Sequence, residues 1–294
     1  MLPLTRFDYR AEVLASIRVL AQLARKEDLP DRDLTADLLG YDQQPTRARI
    51  FTRQPIVMSG QLWIQDLIDG FFGPDETPAQ VKVLVPDGAV AQPGTDLIHL
   101  AGPARAILAL ERTLLNFLGR AIGIATATHA YVEKVRESGC PTHILDTRKT
   151  LPGFRWLDKY AVVCGGGFNH RMNLSDQILL KENHIAELGG MAKALESAFA
   201  QAKGKPFIVE VRTFEELALC LQRNCPIIML DNFTPEQVKR ACEMPRQSSL
   251  IEVSGGIHLN NIATYLNPKL DRISIGALTH SVQAPDLSLL VEDA

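Results

Sequence analysis

From residue 139 onward an apolar, strand-like run recurs six times, and each run is followed by residues at helical spacing. The runs are Ile144-Leu145, Ile178 to Leu180, Phe207 to Val211, Ile227 to Leu230, Leu250 to Val253 and Arg272 to Ile275. Between them Phe154 to Val163, Met191 to Ala202, Phe214 to Gln222, Pro235 to Cys242 and Leu259 to Leu266 read as helices. Such alternation implies parallel strands joined by right-handed crossovers. Runs that are apolar almost throughout belong to a sheet covered on both faces. The expected class is α/β, with a barrel or partly open barrel preferred over a doubly wound sheet.

What terminates the runs points to a site. In order they end at Asp146, Arg148 and Lys149; at Lys181; at Glu210; at Asp231; at Ser254-Gly255-Gly256; and at Gly276. In β/α barrels the C-terminal strand ends carry the active site. Helix capping accounts for any one of these residues, but poorly for a polar residue or glycine in every repeat.

The stretch from Thr142 to His184 concentrates cations at such ends. Asp146-Thr147-Arg148-Lys149-Thr150 closes one run, Gly165-Gly166-Gly167-Phe168-Asn169-His170-Arg171 forms a glycine-rich turn, and Lys181-Glu182-Asn183-His184 closes the next. If these strands are neighbours, Arg148, Lys149, His170, Arg171 and Lys181 converge on one pocket. The whole chain has a net charge of -3, which gives no support for nucleic-acid binding. A cationic pocket in a slightly acidic protein suits a small ligand with several negative charges.

Ser254 to Gly256 and Ile275-Gly276-Ala277 follow the last two runs. Glycines there let a phosphate approach backbone N–H groups. Glu210 and Asp231 can accept ribose hydroxyls, hold Mg²⁺ through water, stabilise a developing positive charge, or pair with the pocket cations.

The first hundred residues read differently. Arg10 to Arg25 carries Val13, Ile17, Leu20 and Ala24 at helical spacing. Asp28 to Gly40 reads as an acidic connector and turn. Arg47 to Met58 and Val81 to Leu100 read as extended, with turns at Pro86-Asp87-Gly88 and Pro93-Gly94. This α+β unit ends near residue 100. Ala104 to Gly119 is a strong helix pattern containing Glu111-Arg112-Thr113, and a second helix, Ile122 to Ser138, is expected after a glycine-containing break.

Met1 to Leu20 lacks the continuous apolar core of a signal peptide, and no run approaches a membrane span. Five cysteines without a C-x-x-C pair suggest reduced thiols in the cytoplasm and argue against zinc.

Together these segments, with Lys159-Tyr160-Ala161-Val162, Leu230-Asp231-Asn232-Phe233 and Gly276-Ala277-Leu278-Thr279-His280, resemble quinolinate phosphoribosyltransferase. The resemblance covers essentially the whole chain in family order. It implies an N-terminal α/β sandwich domain over residues 1–116, joined by the C-terminal tail 280–294, and an open α/β barrel over residues 117–279. It implies transfer of phosphoribosyl from phosphoribosyl pyrophosphate to quinolinate with decarboxylation, with Mg²⁺ bound mainly through the substrate's pyrophosphate. It also implies a homodimer, or a higher oligomer built on it, in which Arg112 is donated across the interface.

Matched by motif, Thr147, Arg148, His170, Arg171 and Lys181 resemble the anion-binding residues, with Lys149 beside the reacting centre. Glu210 and Asp231 match the carboxylates near ribose and metal, while Ser254, Gly255, Gly256, Ile275, Gly276 and Ala277 match the phosphate turns. Lys149, Glu210 and Asp231 are the expected catalytic groups. The chain departs from the family pattern at Arg212, where an acidic or amide residue is usual; Arg212 either pairs with Glu210 or begins the next loop. The rivals are a phosphoribosyltransferase that uses nicotinate without decarboxylation, the molybdenum-transport-associated paralogue of the fold, and a non-catalytic anion binder.

Overall fold

The computed structural model describes residues 9–40 and 44–292. The first eight residues of the segment read above as lacking a signal peptide, and the last two of the tail, lie outside the described residues. The chain divides into two compact units. Of the described residues, one takes in those from 9 to 129, from 150 to 166 and from 278 to 292, and the other takes in 130–149 and 167–277.

The first unit begins with α1 (Tyr9–Asp28), whose Val13, Ile17 and Leu20 are buried as their spacing requires. The segment from Asp28 to Gly40 is more than a turn. Asp33 accepts the N–H groups of Thr35 and Ala36, starting the short helix α2 (Leu34–Leu39), and Gly40 ends it in the left-handed region. Antiparallel strands follow: β1 (Pro45–Thr52), β3 (Gln80–Val83) and β5 (Asp96–Pro103) lie in one sheet in the order β1-β5-β3, and β2 (Ile56–Val57) pairs with β4 (Val90–Ala91) in a separate two-stranded sheet. Between β2 and β3 lies α3 (Ile64–Phe71), which buries Ile64, Leu67, Ile68 and Phe71 and which the sequence reading left unassigned.

The expected break near residue 120 does not occur. A single helix, α4 (Ala104–Ser138), runs through both Gly119 and Gly123. The glycines serve packing: a Cβ at 123 would overlap the carbonyl oxygen of Gln283, so the returning tail lies directly on the helix backbone. A fifth helix, α5 (Arg155–Cys164), belongs to the same unit.

The second unit is built on six parallel strands: β6 (His143–Leu145), β7 (Ile178–Leu180), β8 (Phe207–Val211), β9 (Ile227–Asp231), β10 (Leu250–Ser254) and β11 (Arg272–Ser274). Their order is β6-β11-β10-β9-β8-β7, all parallel, and the two edge strands are not hydrogen-bonded to each other. Side chains from all six strands or the turns after them line one cavity, so the sheet curls into an open barrel. Leu179, Ile208, Ile227, Met229 and Leu250 pack together within it.

Short helices fill the crossovers: α6 (Glu182–Glu187), α7 (Met191–Gln201), α8 (Phe214–Gln222), α9 (Pro235–Glu243) and α10 (Ile262–Tyr265); α11 (Ala277–His280) follows the last parallel strand. The tail ends in β12 (Leu287–Val291), antiparallel to β1. All five cysteines are free thiols. Among the described residues no helix is long and apolar enough to cross a membrane.

Candidate active site

The barrel mouth holds a cavity of about 400 Å³ lined by residues from the C-terminal ends of the strands. Nine side chains singled out in the sequence meet here: Thr147, Arg148, Lys149, His170, Arg171, Lys181, Glu210, Asp231 and Ser254. Gly255, Gly256, Ile275, Gly276 and Ala277 follow β10 and β11 but do not line it. Arg112 belongs to the other unit, where it is exposed on α4.

The cationic side is assembled by a buried carboxylate. Asp146, at the end of β6, accepts the Asn169 side chain at 2.5 Å and the His170 N–H at 2.9 Å, fixing the turn that carries His170 and Arg171. Arg171 N–H donates to His170 Nδ1 at 2.8 Å, and its guanidinium donates to the Gln177 carbonyl at 2.9 Å. Burial lowers the Arg171 proton affinity, the neighbouring Arg148 lowers it further, and Asp176 opposes both. Arg148 Nε is buried and closes no hydrogen bond among the described residues. Two crowded arginines with unspent donors make a fork suited to a carboxylate pair.

The acidic side comes from β8 and β9. Burial, then the charge of Asp231, push the Glu210 carboxyl above its ordinary value, while Lys181 and Arg212 pull the other way. Arg212 lies just past β8 and so begins the next loop. Its guanidinium bonds Asp231 at 3.2 Å and Glu182, so its partners are those two carboxylates and not Glu210 by hydrogen bond.

The turn after β10 depends on backbone shape. Gly255 has φ +105°, and a Cβ there would overlap Asn232 Oδ1; Asn232 is itself left-handed, and its N–H bonds the Ser254 carbonyl at 2.8 Å. The ends of β9 and β10 therefore interlock.

Sequence reasoning missed Glu252. This residue is fully buried on β10, with Oε1 3.5 Å from His170 Nε2. Its signal was a lone acid inside the run Leu250 to Val253, two residues before Ser254 and so on the same strand face. A larger cavity of about 510 Å³ shares His170 and Arg171 and is also lined by Leu145, Asn169, Lys203, Lys205 and Arg272 among others. It lacks Glu210 and Asp231, so the mouth has the fuller chemistry.

Models of the N- and C-terminal domains of quinolinate phosphoribosyl transferase match residues 33–122 and 124–290. The chain belongs to the quinolinate phosphoribosyltransferase family. It is 42% identical over 240 residues to the carboxylating nicotinate-nucleotide pyrophosphorylase of Mycobacterium leprae, covering 81% of this chain and 83% of that one. The human protein of that name is 34% identical over 269 residues, covering 90% and 88%. The solved nicotinate-nucleotide pyrophosphorylase of Francisella tularensis superposes with a TM-score of 0.87 at 38% identity, covering 95% and 97% of the two chains. Family membership thus agrees with the resemblance carried by the strand-end motifs.

Proposed function

We propose that the chain transfers the phosphoribosyl group of phosphoribosyl pyrophosphate to the ring nitrogen of quinolinate, with decarboxylation. The products are nicotinate mononucleotide, pyrophosphate and CO₂. The observation that carries this reading is the meeting of Arg148, Lys149, Arg171 and Lys181 with Glu210 and Asp231 in one strand-end cavity.

Quinolinate has two adjacent carboxylates. Arg148 and Arg171 hold them in a fork, directing the ring nitrogen toward the sugar. Lys181 adds charge from the end of β7, and Lys149 stands beside the reacting centre. The turns after β10 and β11 receive the sugar phosphate on backbone N–H groups. As pyrophosphate leaves C1, positive charge develops on the ribose, and the ionised carboxylates of Glu210 and Asp231 stabilise it. Attack by the pyridine nitrogen makes the ring cationic. That charge favours loss of the adjacent carboxylate as CO₂, because the carbanion left at C2 lies beside positive nitrogen. Protonation at C2 completes the product, and no covalent enzyme nucleophile is required.

Among the described residues no three His, Cys, Asp or Glu side chains are grouped to cage a metal. Mg²⁺ would be held mainly by the substrate's pyrophosphate, with Glu210 and Asp231 reached through water. The fit is electrostatic, since like-charge repulsion between these carboxylates contributes to the raised Glu210 value. When bound, the ion would neutralise charge on the departing pyrophosphate.

The working form is a cytoplasmic homodimer in which Arg112 enters the partner's site. Arg112 is exposed and forms no ion pair among the described residues, as a donated side chain requires.

Calorimetric titration tests the substrate reading. Quinolinate binds more tightly than nicotinate, and Arg148→Ala lowers quinolinate affinity by about a hundredfold. Equal affinity for the two acids would overturn the assignment in favour of a nicotinate-using enzyme.

A further inference from the structure

Arg212 ties together three neighbouring strand ends. It lies just past β8, while Glu182 opens α6 directly after Lys181, which closes β7, and Asp231 is the last residue of β9. Its Nη1 pairs with Glu182 and its Nε with Asp231 at 3.2 Å. The backbone beneath is fixed, because the Arg212 N–H donates to Glu216 Oε2 at 2.7 Å in the first turn of α8. The side chains are open to water: Arg212 is 48% and Glu182 58% exposed, whereas Asp231 turns inward and lines the mouth cavity. Ion pairs this exposed contribute little stability, so they are readily exchanged for a better anion.

The direction of the proposed reaction decides which anion reaches this rim. Quinolinate is drawn to Arg148 and Arg171, and Arg171 and His170 are both buried, so the acid sits deep. Glu210 and Asp231 then mark the level of the ribose C1. The pyridine nitrogen gives its lone pair to C1 as the C1–oxygen bond breaks, and that bond's electron pair leaves with the diphosphate. Nucleophile and leaving group stand on opposite sides of C1. With the acid below, the diphosphate points outward, to the rim where Glu182, Arg212 and Asp231 meet. Glu210 feels the charges of Asp231 and Glu182 on one side and of Lys181 and Arg212 on the other. Without Arg212, three carboxylates would face one lysine at this corner and repel a diphosphate. The guanidinium corrects that balance, and its planar fork matches phosphate oxygens.

We propose that Arg212 is a diphosphate-binding residue, whose resting partners are Glu182 and Asp231 and which passes to phosphoribosyl pyrophosphate when that substrate binds. This rests on the proposed function and deepens it, by naming a side chain that receives the leaving group. The exchange has two consequences. Asp231 is released from the guanidinium and faces the ribose as positive charge develops there. Glu182 is left as the competitor for Arg212: it weakens diphosphate binding, and it takes the guanidinium back as the product leaves.

The experiment is calorimetric titration of the full-length protein with phosphoribosyl pyrophosphate, inorganic pyrophosphate and ribose 5-phosphate, each in the presence of Mg²⁺. Arg212 and Glu182 lie at the surface, so substituting them removes no core packing. Arg212→Gln lowers affinity for phosphoribosyl pyrophosphate and for pyrophosphate about tenfold or more and leaves ribose 5-phosphate and quinolinate binding unchanged. Arg212→Lys keeps the charge without the fork and recovers part of the loss. Glu182→Gln has the opposite sign, raising pyrophosphate affinity roughly threefold. In the double variant Arg212→Gln/Glu182→Gln that gain disappears, because it acts through Arg212. Unchanged pyrophosphate affinity in Arg212→Gln, or equal losses for pyrophosphate and ribose 5-phosphate, overturns the assignment and leaves Arg212 a structural brace. A Glu182→Gln gain that persists undiminished in the double variant also overturns it, since that is plain charge repulsion. If the unsubstituted protein binds no phosphoribosyl pyrophosphate, the proposed function itself fails; if it binds and Arg212→Gln binds equally well, this inference alone fails.

Discussion

Glu210 is where the chemistry and the stability of the site pull against each other. Burial and then Asp231 raise its carboxyl above the ordinary value, yet the role proposed for it in the reaction uses the ionised form. Turnover therefore falls as pH drops through that raised value, earlier than an unperturbed glutamate would dictate. The folded state takes up this proton more readily than the unfolded chain, so the group's contribution to stability declines as pH rises through the same window. Glu210→Gln is expected to lower turnover about a hundredfold or more and to raise the melting midpoint by about 2 °C. A pH–rate profile and a thermal scan check both. Residues such as Arg148 and Glu210 were legible in the sequence because charge at the end of an apolar run has few structural explanations. Glu252 was not, because its partners His170 and Arg272 come from other segments and only the curled sheet brings them together.

At the scale of elements, the six parallel strands were readable from their apolar runs, and the helices that cover them from their spacing. The long helix α4 was misread at Gly119 and Gly123. A glycine signals a break only when nothing explains its missing side chain, and here the tail residue Gln283, about 160 positions later, supplies the explanation. Helix α6 was hidden because its six residues directly follow β7 and carry the site motif itself. The β10 turn shows how an element positions chemistry. Gly255→Ala introduces a Cβ at positive φ against Asn232, so it should weaken phosphoribosyl pyrophosphate binding about tenfold or more while sparing quinolinate. Separate titrations of the two substrates test this.

For the whole molecule, the decisive question is whether one chain holds a complete site. The barrel mouth supplies Arg148, Arg171 and Lys181, whereas Arg112 sits on the other unit of the fold. If each site draws Arg112 from a second copy, Arg112→Ala and Lys181→Ala chains are each inactive alone. Mixing them yields one intact site per heterodimer, and about a quarter of normal activity returns when subunits exchange at random. Activity that fails to return in verified heterodimers would place every binding residue in one chain.

The central claim is that this cavity couples phosphoribosyl transfer to decarboxylation. Its most direct measurement is the release of CO₂ and pyrophosphate from quinolinate, phosphoribosyl pyrophosphate and Mg²⁺ in one vessel. Equal amounts of the two products, with none from nicotinate, are expected; pyrophosphate released without CO₂, or formed equally well from nicotinate, would contradict it.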